Sequence, residues 1–138
     1  MTKINTDVKG LSLGTLIDGE YAGIVDNVAI GTSVSAYDIL YPGTSFQYDL
    51  ADASAESTMP ALCIALESGS SGTILALFFG KVRHDTWNWS VGPLYVSATA
   101  GGLTQTAPGS GENVQIVGYA IDADTVFFGF YPTVITLA

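Results

Sequence analysis

The feature that most constrains this chain is its punctuation. Between Gly92 and Phe128 lie four short runs, Leu94–Thr99, Leu103–Thr106, Val114–Ile121 and Thr125–Phe128, all rich in Val, Ile, Thr, Tyr or Phe. These residue types fit a pleated, half-buried surface. Turn-forming residues divide the runs. Gly101-Gly102 separates the first two, and glycine accepts the positive φ that a tight hairpin needs. Pro108-Gly109-Ser110-Gly111 breaks the next pair and Asp122-Ala123-Asp124 the last, both turn-forming combinations. No long stretch here places apolar residues at three- and four-residue spacing, which argues against an amphipathic helix and for short antiparallel strands.

The same rhythm occurs upstream. Asp38-Ile39-Leu40-Tyr41 aligns with Gly92-Pro93-Leu94-Tyr95, Phe46-Gln47-Tyr48 falls near Leu103-Thr104-Gln105, and Pro60–Ala65 falls on Gln115–Ala120. Thr73–Phe79 falls near Thr125–Phe130. The offset is about 55 residues, a period at which one supersecondary unit is used twice; similarity between any two strand-rich halves is the simpler alternative. The expected fold is all-β: an antiparallel β-barrel or sandwich built from two similar halves, about 35–82 and 90–131, within a domain of residues 27–138. Residues 1–26 are expected to form an N-terminal arm or hairpin.

A chain of 138 residues suits one domain with its own core. Its surface is unusual. Charged residues make up 12% of the chain, against about 25% in ordinary soluble domains, while hydrophobic residues make up 48% and mean hydropathy is +0.38. Yet no apolar run approaches the roughly 18 residues that span a bilayer; none is longer than Ile74–Phe79, which is strand-sized. A surface so short of charge predicts cover by identical neighbours or by a larger assembly. Net charge is −9, with Lys3, Lys9, Lys81 and Arg83 the only cations beside 13 acids. A phosphate-binding surface needs clustered Lys and Arg, so nucleic acid is not an expected partner. Nor is a membrane, because an acidic exterior repels anionic lipid.

Cys63 is the only cysteine, so neither an intrachain disulfide nor a cysteine zinc cage is expected; within Ala61–Ala65 it reads as a buried, inert thiol. The opening MTKINTDVKG lacks an apolar core followed by a cleavage site, which predicts synthesis and folding in a cytoplasm. Asp18-Gly19 is a turn signal between Leu11–Ile17 and Tyr21–Val25, giving either a first hairpin on the barrel or an arm docking on a partner. Tyr41-Pro42-Gly43-Thr44 reads as a turn, and Ala51–Thr58 as a loop or one helical turn. Met59–Glu67 and Thr73–Val82 are expected to pair across Ser68–Gly72. Both are apolar on both faces, which predicts cover by the core on one side and by a neighbour on the other. Pro132–Ala138 reads as a last short strand.

Reactive constellations are scarce. His84 is the only histidine, with Asp85 next to it, but adjacent residues on a strand point to opposite faces, and no Gly-x-Ser-x-Gly elbow is present. The pairs Asp122/Asp124 and Asp49/Asp52 lack the ordered acids of a calcium loop and read as turn aspartates bonding their own backbone. Trp87 and Trp89 are two apart, so on a strand they share a face, as a platform for stacking sugar rings or as a packing or subunit-interface anchor. No phosphate cradle is present. These readings give no catalytic residue, no metal and no cofactor, and predict a structural or binding protein rather than an enzyme.

Gly92-Pro93-Leu94-Tyr95-Val96-Ser97, Gly101-Gly102-Leu103-Thr104, Ala107-Pro108, Val114–Ala120 and Ala123–Phe128 together resemble a β-barrel module of bacteriophage virion proteins: head fibres, capsid decoration proteins and some tail-fibre shafts. Upstream, Ala51–Ser54, Met59–Leu62 and Gly80–Val82 fit the same module, and the likeness covers roughly residues 35 to 130. The resemblance implies a non-enzymatic homotrimer on the capsid surface of a virion, made in the host cytoplasm, with the major capsid protein as partner. The N-terminal region, with Thr2, Lys3, Ile4, Lys9, Leu11 and Leu13, would grip the shell. The alternative it leaves is a tail-fibre or glycan-binding module that meets a host surface glycan through Trp87 and Trp89.

Overall fold

The computed structural model describes residues 16–129 and 133–138. The fold is all-β, a strongly curled antiparallel sheet that forms a half-barrel. Its strands are β1 (Tyr21–Ala29), β2 (Ile39–Pro42), β3 (Tyr48–Leu50), β4 (Cys63–Ala65), β5 (Thr73–Arg83), β6 (Gly92–Val96), β7 (Leu103–Thr104), β8 (Asn113–Val114), β9 (Ile116–Ala120), β10 (Thr125–Gly129) and β11 (Ile135–Thr136). Single 3-10 turns occupy Thr44–Phe46 and Glu56–Thr58. Nine strands form one sheet in the order β3-β2-β4-β5-β10-β9-β6-β7, with β1 also on β5; β8 and β11 pair separately.

The long strand β5 is the trunk. Along one edge it carries β1, from Tyr21 opposite Val82 to Ala29 opposite Thr73. Its other edge is shared: β4 takes Ala76 and Leu77, and β10 takes Phe79 to Arg83. The strands β3-β2-β4-β5 and β7-β6-β9-β10 run in the same order from the two ends of the sheet. Leu40 faces Cys63 and Leu94 faces Gly118, while the next pairs, Ala65 with Ala76 and Ala120 with Val126, lie two residues out of step with the aligned repeat.

The curl follows from one inward row across five strands: Gly23, Gly80, Phe128, Gly118 and Leu94, each paired with the next. At each of the three glycines a Cβ would run into the backbone of the neighbouring strand, and Phe128 between them is fully buried. A methyl group on Gly80 would sit 2.7 Å from the Gly23 Cα, and one on Gly23 would sit 2.7 Å from the Gly80 Cα. The two backbones therefore touch where β1 bends, one residue before a register shift at Ile24/Val25.

The main core lies inside the curl, around Ile39, Ile64, Leu77, Val82, Leu94, Val117, Val126 and Phe128. The open side is clasped by backbone bonds from non-strand residues. Gly101 donates to the Ala51 carbonyl and accepts from Ile39, and Ala53 donates to Ser97. The buried Gln115 amide accepts the Ala61 N–H at 2.7 Å and donates to its carbonyl at 2.9 Å.

A second cluster, with Val28, Ile30, Val34, Leu40, Cys63, Ala65, Ile74 and Ala76, corrects one expectation. The second apolar face of β4 and of the first half of β5 is covered by the chain's own Val28, Ile30 and Val34, at the end of β1 and just after it, rather than by a neighbouring copy, while Phe79 further along β5 stays half exposed. Met59–Glu67 and Thr73–Val82 do pair across Ser68–Gly72, through the short β4 and the long β5. The boundary expected at 26/27 falls inside β1, whose nine residues are bonded along β5. Asp18-Gly19 does turn, with Glu20 N–H donating to Ile17 at 3.0 Å; the strand expected before it lies mostly outside the described residues.

Candidate functional site

Three loops meet at the most aromatic part of the molecule. The first is a turn over Ser35–Asp38, closed by the Asp38 N–H donating to the Ser35 carbonyl at 3.1 Å. Tyr37 holds its third position at φ 73°, where glycine is the usual residue. The second runs from the end of β5 to β6. His84 N–H donates to Asp124, Trp87 N–H to His84 and Trp89 N–H to Ala123, each at 2.9–3.0 Å, so the Asp122–Asp124 turn anchors this loop. The third is the β6–β7 turn, with Gly101 at φ 79°.

Between them lies a cleft of about 280 Å³. Tyr37 stacks on His84 with ring centroids 4.1 Å apart and an interplanar angle of 24°. Trp87 stands edgewise to both at 5.3 Å, and Trp89 leans on Trp87 at 6.0 Å. Trp87 and Trp89 thus share a wall, as their spacing suggested, but from a loop rather than a strand. Both also pack against the main core, and the Trp89 indole N–H is buried with no partner among the described residues.

Asp38 supplies the acid of the cleft. Its Oδ2 accepts the Ser35 N–H at 2.9 Å. Burial holds its carboxyl above the usual value, opposed by that backbone bond. A side chain at Gly101 would begin 3.1 Å from this carboxylate, so glycine there keeps room for Asp38 as well as making the turn. The Tyr37 phenol is pushed up by burial and then by the Asp18 charge.

His84 has a hydroxyl on one ring nitrogen, with Thr86 Oγ1 2.5 Å from Nε2. Its Nδ1 lies 3.9 Å from Asp18 Oδ1, outside hydrogen-bond reach, and that oxygen accepts the Asp85 N–H at 2.9 Å. A hydroxyl–imidazole contact without an orienting carboxylate is not an assembled triad. Asp85 is turned toward Arg83, 2.5 Å from its Nε.

Of the aspartates read as turn residues, Asp49 instead lies in β3 opposite Tyr41, whereas Asp122 and Asp52 do serve turns. Asp122 Oδ1 accepts the N–H groups of Asp124 and Thr125 at 2.9 and 2.8 Å, bonds that hold its carboxyl below the ordinary value. Asp52 Oδ1 accepts the backbone and hydroxyl of Ser54. Among the described residues, no three His, Cys, Asp or Glu side chains gather as a metal site. Cys63 is fully buried, and burial pushes its thiol up to about 12. The candidate shell-gripping residues Thr2, Lys3, Ile4, Lys9, Leu11 and Leu13 lie outside the described residues.

Tyr37, Asp38 and Thr86 were not singled out by sequence reasoning. The only local hint was a bulky residue between Ala36 and Asp38 at the start of the first repeat, and letters do not display φ. Fold and cleft together define the class: an all-β half-barrel bearing an aromatic, acid-lined cleft made by loops. Comparison with protein-family models, with curated proteins and with solved structures returns no match.

Proposed function

We propose that the chain is a non-enzymatic structural protein that assembles with copies of itself, as a homotrimeric phage head fibre or capsid decoration protein on the surface of a virion. The observation that carries the assembly reading is the outer face of the curled sheet. Ile24 on β1, Phe79 on β5, Phe127 on β10 and Tyr119 on β9 are 62%, 48%, 37% and 49% exposed. Ile24 pairs with Phe79, Phe127 pairs with Tyr119, and the two phenyl rings meet edge to face at 5.1 Å. The stripe therefore crosses four neighbouring strands without a break, and a contiguous apolar stripe is the usual mark of an interaction site. The outer edge of β1, opposite β5, has no strand partner among the described residues, and a long apolar edge invites pairing.

The reading of one unit used twice draws support from the like strand order, and from β10 lying on β5 as β5 lies on β1. The phage setting rests on the sequence resemblance, which also supplies the major capsid protein as the shell partner; the grip is assigned to the N-terminal arm, around Thr2 to Ile17, outside the stretch that carries the resemblance.

Sedimentation velocity tests the assembly. The expected species has three times the chain mass of 14.4 kDa, and Phe79→Ser with Ile24→Asp reduces it to single chains that remain folded. A wild-type protein that stays monomeric as concentration rises overturns the reading. Cosedimentation with shells of the virion's major capsid protein tests the setting: loss of residues 1–15 should abolish binding and leave the oligomer intact. Undiminished binding by the truncated chain refutes the assigned grip.

A further inference from the structure

We propose that the cleft formed by Tyr37, Asp38, His84, Thr86, Trp87 and Trp89 binds a single uncharged carbohydrate ring. This inference is independent of the assembly reading. A pyranose has C–H bonds on its faces and hydroxyls around its rim, so its site needs an apolar aromatic wall beside convergent polar atoms. The cleft has both. Tyr37, Trp87 and Trp89 supply the wall, each an apolar body with a polar tip. Asp38 Oδ2 is occupied by Ser35, whereas Oδ1 has no donor among the described residues, and Asp38 lines the cleft. It stands ready to accept a rim hydroxyl. Thr86 adds a hydroxyl, part of whose bonding capacity is taken by His84 Nε2 and part left for a ligand.

Backbone geometry points the same way. Tyr37 occupies a left-handed conformation that a bulky residue rarely adopts, and such outliers cluster at functional sites. Glycine would make this turn without strain. Tyrosine instead projects a ring onto His84 and into the cleft wall.

Size and charge narrow the ligand. A volume of about 280 Å³ lies below the range of roughly 300–1,000 Å³ typical of drug-sized sites, so one ring enters and any further units stay outside. Asp38 in the cleft and Asp18 beside His84 disfavour acidic sugars. An organic cation would use the carboxylate, but it needs ring faces set around a void. Here Tyr37 gives one face to His84, and Trp87 and Trp89 lean together as one wall.

Trp87 and Trp89 are the only tryptophans in the chain, so indole emission reports on this cleft alone. The experiment titrates the full chain with glucose, galactose, N-acetylglucosamine and rhamnose. At least one should give a saturable change with a dissociation constant on the order of 1 mM. Asp38→Asn, which keeps an oxygen for Ser35, should weaken that binding about tenfold at an unchanged thermal midpoint. Tyr37→Gly should abolish it, and Asp38→Asn decides the matter if Tyr37→Gly does not fold. No saturable response to any of the four sugars up to about 100 mM, full binding by Asp38→Asn, or a response to tetramethylammonium chloride alone overturns the proposal.

Discussion

Gly80→Ala probes the reason the sheet curls. The new methyl group would lie 2.7 Å from the Gly23 Cα and 3.0 Å from the Ala22 carbonyl carbon, distances at which backbone must move. Neither atom belongs to a side chain that can swing aside, so β1 has to lift off β5 or β5 has to straighten. Overpacking of this kind costs about 1–3 kcal/mol. Gly80 also sits at φ 143°, a region nearly reserved for glycine, which adds roughly 1–3 kcal/mol. The expected loss is about 3–4 kcal/mol, a large share of a domain stability of about 5–15 kcal/mol. Gly72→Ala is the control: its φ is 76° but no atom lies within 4 Å of the added carbon, so only the backbone cost of about 1 kcal/mol applies. Urea unfolding of both variants measures the difference. The double variant Gly23→Ala with Gly80→Ala adds a sharper criterion, since one methyl group already parts the strands. Its loss should fall short of the sum of the single losses by more than about 1 kcal/mol. Strict additivity, or a Gly80→Ala loss no larger than that of Gly72→Ala, refutes the close-contact explanation of the curl.

Gln115→Ala strips the Ala61 N–H and carbonyl of their buried amide partner; denaturant unfolding should show a loss of about 3 kcal/mol, from two orphaned groups and a void. Cys63, with its thiol pushed up to about 12, should resist a water-soluble thiol reagent in the folded protein and react at once in denaturant. Asp122 is held below the carboxylate value of 3.8 mainly by the Asp124 N–H, so its contribution is present above that value and lost as pH falls through the folded pKa. Thermal midpoints of wild type and Asp122→Asn should therefore differ near neutrality and converge as the pH falls through the folded pKa, below 3.8; a gap that stays constant with pH contradicts this.

Strand-sized apolar runs between glycine, proline and aspartate turns determined by themselves that the chain is all-β and antiparallel, because local turn chemistry and alternation act over a few residues. The roles of Gly101, Asp122 and the Ser68–Gly72 hairpin were legible for that reason, as was the buried Cys63 within its apolar run. What lies beyond the reach of neighbouring letters was decided by tertiary structure. Apolarity on both faces of β4 and β5 says that two covers are needed but not whose; Val28, Ile30 and Val34 supply the second from the same chain over β4 and the first half of β5. The glycines at 23, 80 and 118 read as punctuation, and only register aligns them around Phe128. Likewise Trp87 and Trp89 were conspicuous as a pair, but the cleft they wall exists because turns distant in sequence carry Tyr37, Asp38 and Gly101 to the same place. Non-local closure of that kind depends on how the whole sheet curls, and no short window of sequence encodes it.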